Sequence, residues 1–445
     1  MFKPLITRLL RNRIIYDYLR SAYLEARVAP SSVAGSYGVI PEITPIGAIR
    51  SPYENERLNL VVPALSLQHF FGGINTAIDI FQELTKGYQS ARIILSDQSK
   101  FCIQDNPSFS TWSIRSMDDD DQAGFHIIPA GDRYGKSLPV ARGDRFMATA
   151  WWTAVLVKSL RANQSEFYGS SDSTDRFIYL IQDFEPGFYP WSSRYALAES
   201  TYHFPDNFVP VFNSSLLRNF FADEGYCFAP QYSFEPQLND GLRRFLEKSN
   251  CPRKKQILVY GRPGVERNAF DLIVMGLREW VSRGAGEEWL FLSAGQSHDD
   301  VDLGRGHMLK SLGKLTLENY AEKLCESSIG ISMMVSPHPS YPPLEMAAFG
   351  VRVITNCFRT KNLSLLSGNI HSLKILDPVS IADALEFLSQ RHDENRDHGT
   401  AWMKDYVSGT QTFTQICQSL LLDIGHSAIH KSEARDLRPC DMLQE

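Results

Sequence analysis

The chain has 445 residues, of which 43% are hydrophobic and 22% charged, with a formal net charge of −6. That length allows two or three domains with sizeable cores. The acidic balance argues against a general affinity for nucleic acid or an anionic membrane, and the longest uncharged apolar run, Phe146 to Val157, is too short to span a bilayer.

The start, MFKPLITRLLRNR, has charges through its apolar stretch and none of the marks of a signal peptide. Residues 1–27 carry six Lys/Arg against two acids, with apolar positions at helical spacing. Two readings fit this basic amphipathic helix: one lies at a membrane interface, the other docks on its own protein or on a twin subunit. With the Pro/Gly/Ser-rich connector that follows, it forms an N-terminal extension over 1–56. Seven cysteines, none in a CxxC pair, fit reduced thiols in a cytoplasmic protein without a zinc site.

Strand and helix patterns then alternate. LNLVVPAL (58–65) reads as a strand, GGINTAIDIFQELTKG (72–87) as a helix, and SARIILS (90–96) as the next strand. DRFMAT leads into the helix WWTAVLVKSLRA, RFIYLIQDFEP (176–186) is a strand with an acidic end, and a helix and a further strand–helix pair follow. Alternation of this kind predicts a mostly parallel sheet covered on both faces. The polar connector APQYSFEPQLNDG (229–241) marks a boundary, so the first α/β domain spans 57–238.

The alternation restarts with KKQILVYGRP and continues through EEWLFLSAGQ, a loop, a helix over TLENYAEKLCESS, SIGISMMVS, GVRVITN and HSLKILD. The second domain spans 239–409, followed by a C-terminal helix over 410–427 and a polar tail over 428–445. Two open α/β domains in tandem leave a cleft where the carboxyl ends of both sets of strands face one ligand.

The turns after the strands therefore hold the candidate chemistry. Gly72 and Gly73 precede a helix, where bare amides and the helix dipole suit an anion, although a tight turn explains the pair as well. In YGRPGVERNAFD, Gly261 and Arg262 end a strand and Arg267 precedes the next helix. These arginines either clamp a diphosphate through charge-assisted bonds or lie solvated, with Arg267 paired to Glu266 or Asp271. Gly295, Gly313, Lys314 and Leu315 sit where backbone groups could frame a flat base, although taken alone they read as ordinary loop residues. In VSPHPSYPPLEMAAFG, four prolines fix φ and leave His338, Ser340 and Tyr341 as the backbone donors of the turn. Glu345 is expected in the first turn of the helix that follows, ionised under the helix dipole, and either accepts from a sugar hydroxyl or merely complements the dipole. Asp183 and Glu185, after their strand, are expected towards the cleft, either on acceptor or sugar hydroxyls or in a structural role. The aspartate run of MDDDDQAG (117–124) reads as a solvated loop rather than a metal site.

Strand, proline-rich turn and LEMAAFGVRVIT together resemble the C-terminal signature of glycosyltransferase family 4, whose members have the GT-B fold. HFFGGINTA, YGRP…ERNAFD and SLGKLTLENYAEKL resemble further motifs of that family. DRFMATAWWTA and YLIQDFEPGFYP bring the chain closest to bacterial rhamnosyltransferases of the WsaF type. The resemblance implies α/β architecture: two Rossmann-like domains facing each other across a deep cleft. It implies that Arg262 and Arg267 hold the donor diphosphate, with Arg267 in place of the usual lysine, and that Glu345 contacts the ribose. The pattern's other glutamate, a sugar contact, would fall at position 337, which is Pro337; Ser336, His338, Ser340 and Tyr341 are the local substitutes.

The implied reaction is metal-independent, retaining transfer of a deoxyhexose, L-rhamnose from dTDP-L-rhamnose, to a hydroxyl of a growing cell-surface glycan. No cofactor is implied beyond the donor itself. The implied acceptor is linked to a polyprenyl diphosphate at the inner membrane face, where the basic extension would act peripherally. A homodimer is compatible with all of this. Pro337 keeps open a second reading, a non-catalytic nucleotide-sugar-binding subunit of a glycan-assembly complex.

Overall fold

The computed structural model describes residues 39–65, 72–169, 176–246, 253–391, 400–409 and 413–424. The basic helix expected over 1–27 and the polar tail after 427 lie outside these residues. Contacts divide the chain at Pro45. Before it, Pro41–Ile43 forms a single 3-10 turn; from Ile46 onward the chain is one body that contains two large sheets and a small two-stranded one.

In chain order the strands are β1 (Gly47–Arg50), β2 (Arg57–Val62), β3 (Ala91–Leu95), β4 (Ser113–Ile114), β5 (Phe125–Pro129), β6 (Ser137–Val140), β7 (Asp144–Ala148), β8 (Phe177–Ile181), β9 (Phe208–Phe212) and β10 (Tyr232–Ser233). They continue with β11 (Lys254–Gly261), β12 (Leu290–Gly295), β13 (Val301–Gly304), β14 (His307–Gly313), β15 (Ser327–Ile331), β16 (Arg352–Asn356) and β17 (Ile370–Leu373). The helices are α1 (Gly72–Thr85), α2 (Trp151–Tyr168), α3 (Ser193–Ser200), α4 (Ser215–Asp223), α5 (Asp240–Leu246) and α6 (Phe270–Ser282). After them come α7 (Leu317–Glu326), α8 (Tyr341–Ala348), α9 (Pro378–Ser389), α10 (Ala401–Ser408) and α11 (Thr414–Asp423).

Among the described residues the first large sheet has the order β10-β9-β8-β7-β2-β3-β5-β4, every pair parallel. The second runs β13-β14-β12-β11-β15-β16-β17 and is parallel apart from the β13–β14 hairpin. Every residue of β2, β3, β8 and β9 is buried, as expected of central strands covered on both faces. Leu60, Ile93 and Val211 pack with Ile80, Phe81 and Leu84 of α1 on one face, while Val61, Ile94 and Phe212 pack with Leu156 and Leu160 of α2 on the other. The second sheet is likewise lined on both faces, by Ile273 and Leu385 on one and Leu344 and Leu324 on the other. Helix α11 returns to the first sheet, where Cys417, Leu420 and Ile424 join the core beside α1.

The loop expected before α7 is instead the hairpin β13–β14. Its turn residues Arg305 and Gly306 have φ of 51° and 80°, the left-handed pair that a tight two-residue hairpin uses. Strand β5 was also unforeseen, because its short apolar run sits between polar loops. The connector at 229–241 contributes β10 to the edge of the first sheet.

At the amino ends of β2, β3 and β7 lies a buried ion network. Arg57 donates to Asp144 at 2.7 and 3.0 Å and to Asp121 at 2.6 Å. Arg92 donates to Asp144 at 3.0 Å, to Asn59 Oδ1 at 2.6 Å and to the Pro139 carbonyl at 2.8 Å. Burial alone would raise the Asp144 pKa, but Arg92 and Arg57 outweigh it and hold the carboxylate below its ordinary value. Asp121, the last of the four aspartates in the 117–124 run, belongs to this network, and Asp118 accepts from the Ser137 amide at 3.0 Å.

Candidate active site

The turns after β8, β11, β15 and β16 meet one another, and the residues singled out above lie on these turns or follow β2, β12 and β14. Past β8, the chain turns through Asp183 into a 3-10 turn over Glu185–Phe188. Asp183 is buried; its Oδ1 accepts from the Phe184 amide at 2.8 Å and from the Ser336 hydroxyl of the second sheet's turn. Glu185 does not reach the cleft freely. Its carboxylate accepts from the Trp151 amide and so closes the first turn of α2, whose Ala150 has no capping oxygen. Burial pushes the Glu185 carboxyl up to about 8, against the bond from Trp151.

Past β11, Arg262 shares a hydrogen bond with Tyr260. Arg267 lies on a 3-10 turn over Glu266–Asn268, just before α6. It pairs with neither Glu266 nor Asp271: its Nε lies 3.8 Å from Asp183 Oδ2 and its guanidinium 4.2 Å from the Phe188 ring centroid. Both partners come from the first sheet's turn, so Arg267 crosses the cleft.

The proline turn after β15 is anchored from several sides. The Val335 amide donates to the Arg267 carbonyl at 2.7 Å, and Met334 exchanges bonds of 2.7 and 3.0 Å with the Asn356 side chain. The His338 amide donates to Ser336 Oγ at 3.1 Å and the Ser340 amide to His338 Nδ1 at 2.9 Å. Those two amides, expected to face a ligand, are thus satisfied within the turn, because side chains two residues upstream reach them first. Nδ1 as acceptor leaves Nε2 as the N–H of a neutral His338. Burial takes this imidazole down to about 4, with Asp183 opposing and Lys361 and Arg267 adding to the shift. Ser340 holds φ 68° and ψ 142°, a region that favours glycine.

Helix α8 starts at Tyr341, with Pro342 and Pro343 in its first turn where missing donors are tolerated. Glu345 therefore lies in the second turn rather than the first. Its Oε2 accepts from Tyr320 of α7 at 3.1 Å, and burial pushes the carboxyl up to about 7 despite that bond. The expected dipole-stabilised carboxylate is instead a half-buried group poised between its two forms at neutral pH. Tyr341 shares a hydrogen bond with Thr76 of α1, a further link across the cleft.

Gly72 and Gly73 are the first two residues of α1 itself. Gly261 ends β11 where a Cβ would meet Ser293 Oγ at 2.0 Å, so packing within the sheet suffices to require glycine there. Gly295 has φ 140° and its Cβ would meet the Gly261 carbonyl at 2.6 Å. Gly313 has φ 64° at the end of β14; Lys314 next to it is exposed, and Leu315 packs against the core beside α7.

The structure thus brings together Asp183, Arg267, Ser336 and His338, with Arg262 and Glu345 linked to them through Tyr260, which feels all three charges of Arg262, Glu345 and Arg267. Tyr260, Tyr320, Phe188 and the buried Lys361 were not foreseen. A lysine at the end of a strand-terminal loop, RTKN, is the one weak signal that pointed to the last of them.

Family models described as the N-terminal and C-terminal domains of WsaF match residues 57–215 and 255–386. The chain is 30% identical over 328 residues to the O-antigen biosynthesis protein RfbC of Myxococcus xanthus, a match that covers 73% of this chain and 23% of that protein. The chain thus spans less than a quarter of that relative. Among solved structures, sucrose-phosphate synthase from Thermosynechococcus elongatus aligns with a TM-score of 0.50 at 11% identity, over 82% of this chain and 97% of that one. The apo form of OtsA aligns with a TM-score of 0.50 at 9% identity, over 83% and 99%. Identities this low speak for the fold alone.

Proposed function

The chain belongs to the WsaF family and has the GT-B fold, and from that premise we propose that it is a glycosyltransferase whose donor is a nucleoside-diphosphate sugar. The observation that carries the reading is the grouping of Arg262, Arg267 and Glu345 at the carboxyl end of the second sheet, facing the acidic turn of the first. Breaking the anomeric bond of such a donor leaves charge on the diphosphate. Arg262 and Arg267 offer preorganised donors for that charge, aided by the amino end of α1, and this supplies the stabilisation that a divalent ion would otherwise provide. On this reading Arg267 exchanges its 3.8 Å pairing with Asp183 for the closer diphosphate.

Glu345, near its midpoint at neutral pH, suits a ribose hydroxyl because it can donate as well as accept. We propose that the transferred sugar lies beside Asp183 and His338. The donor we propose is dTDP-L-rhamnose, on which Glu345 would grip the 3′-hydroxyl, with transfer in the manner of family 4 and retention at the anomeric carbon. The acceptor we propose is a growing cell-surface glycan; the name of RfbC supports that class. No described helix is long and apolar enough to cross a membrane; we propose work on the cytoplasmic side, at the membrane surface when the acceptor is lipid-linked.

Calorimetric titration of dTDP, UDP and GDP in EDTA, into wild type and Arg267→Ala, tests the reading. Selective dTDP binding that survives EDTA and collapses in the variant supports it. Selective binding of another nucleotide replaces the donor and keeps the enzyme. Folded protein that binds none of the three overturns the clamp in favour of a scaffold subunit.

A further inference from the structure

Lys361 is wholly buried, which is rare for a lysine. It lies just past β16, where its backbone pairs with Phe358 through bonds of 2.8 and 3.0 Å. Its ammonium donates to the Met334 carbonyl. That carbonyl already accepts from the Ser336 amide at 2.9 Å and from Asn356 Nδ2 at 3.0 Å. A neutral donor would satisfy Met334 without the desolvation that a buried ammonium demands. The charge therefore calls for another explanation.

Its surroundings supply one. Asp183 from the turn after β8 and Cys357 from the end of β16 favour the ammonium, while His338 of the proline turn lies close enough to sense it. Met334 is the root of that turn, and the next residue, Val335, donates to the Arg267 carbonyl at 2.7 Å. One buried cation thus touches the root of the sugar-side turn, faces the acid that Ser336 and Arg267 both engage, and is one residue removed from the backbone of the diphosphate arginine.

We propose that Lys361 is a positioning residue for donor turnover: its ammonium pins the Met334 carbonyl and opposes Asp183, holding Ser336, His338 and Arg267 in register for the bound sugar. The proposal rests on the donor site described above. Burial lowers the lysine to about 7, with Asp183 and Cys357 opposing, so the ammonium is present below that pH and lost above it. Turnover in the wild type should accordingly fall on the alkaline side. Glu345 and Glu185 also titrate near neutrality, so only a limb that responds to change at Lys361 belongs to it.

The test is hydrolysis of dTDP-L-rhamnose by wild type, Lys361→Met and Lys361→Arg from pH 5.5 to 9.5 or so, with dTDP affinity measured alongside. Lys361→Met should lose about 10²-fold in kcat, the scale expected for misplacement near reacting atoms, with dTDP affinity within about threefold and its alkaline limb gone. Lys361→Arg should keep turnover and carry the limb to higher pH, since a guanidinium does not titrate in this range. If Lys361→Met does not fold, the arginine variant alone decides. A limb that stays at the wild-type pH in whichever variant folds overturns the proposal, as does a kcat unchanged in Lys361→Met. Wild type that binds no dTDP would instead bring down the donor-site reading beneath it.

Discussion

The amino ends of the first sheet and the carboxyl ends of the two large sheets both bury charge, yet they treat it in opposite ways. At the amino ends of β2, β3 and β7, Arg57, Arg92, Asp121 and Asp144 meet at 2.6–3.0 Å, with each charge facing an opposite one. Opposite charges there outweigh burial for Asp144 and for Arg57, whose ionised forms are favoured. At the carboxyl ends burial wins: Glu185 is pushed up to about 8, Glu345 up to about 7, Lys361 down to about 7 and His338 down to about 4. Arg267 and Asp183 stand 3.8 Å apart there, a looser pairing than the bonds that Arg57 makes to Asp121 and Asp144 and Arg92 makes to Asp144 at the far end. A closed network holds a fold together, and groups held near their neutral forms are what a site for chemistry requires.

The largest test of this contrast is turnover in Arg267→Ala. By analogy with other preorganised donors it should lose about 10²–10³-fold in rate, with little change in thermal stability, because the side chain is a third exposed. Asp144→Ala should do the reverse. It takes from buried Arg92 its close carboxylate and leaves Arg57 with Asp121 alone, so urea unfolding should show a loss of about 3–5 kcal/mol while dTDP affinity stays unchanged in the folded fraction. Asp144 is depressed in the folded state, so its contribution is present above the unfolded carboxyl pKa near 4 and is lost as pH falls through the folded value. Acid unfolding of the variant should therefore be flatter than that of the wild type.

Glu345→Gln probes the opposite sign. A carboxyl raised to about 7 binds its proton more tightly folded than unfolded. It therefore favours the fold at low pH and costs stability as pH rises past the unfolded value. At pH 8 or so the variant should be more stable by about 1–3 kcal/mol, while nucleotide affinity falls. An equal or lower stability at that pH would remove the contrast at this position. The smallest effect is expected of Ser340→Gly. Relief of its φ of 68° should raise stability by about 1 kcal/mol, read as a rise of a few degrees or less in Tm.

Much of the architecture could be read along the chain, because fully buried parallel strands announce themselves as apolar runs. β8 and β9 are such runs, as are β2 and β3 apart from Arg57, Asn59 and Arg92, and the glycines that follow β2 and the arginines that follow β11 stand out beside them. β5 and the β13–β14 hairpin were less legible, being short or half-exposed at an edge. In the site, the arginine turn and the start of α8 at the proline pair could be read from local chemistry. The partner of Arg267 could not, since Asp183 lies on the other sheet.

What the residues determined alone were the elements and the turns between them: spacing, β-branching, proline and glycine act over a few residues, and so does their physics. What only the tertiary structure decided was the state of the charges. Asp183 meets Ser336 across 153 residues of chain, Lys361 loses its water to the packing around it, and the Glu345 carboxyl is pushed up to about 7 through burial that its helix position alone does not predict. Burial and opposite charge set ionisation, and both are properties of what lies nearby in space.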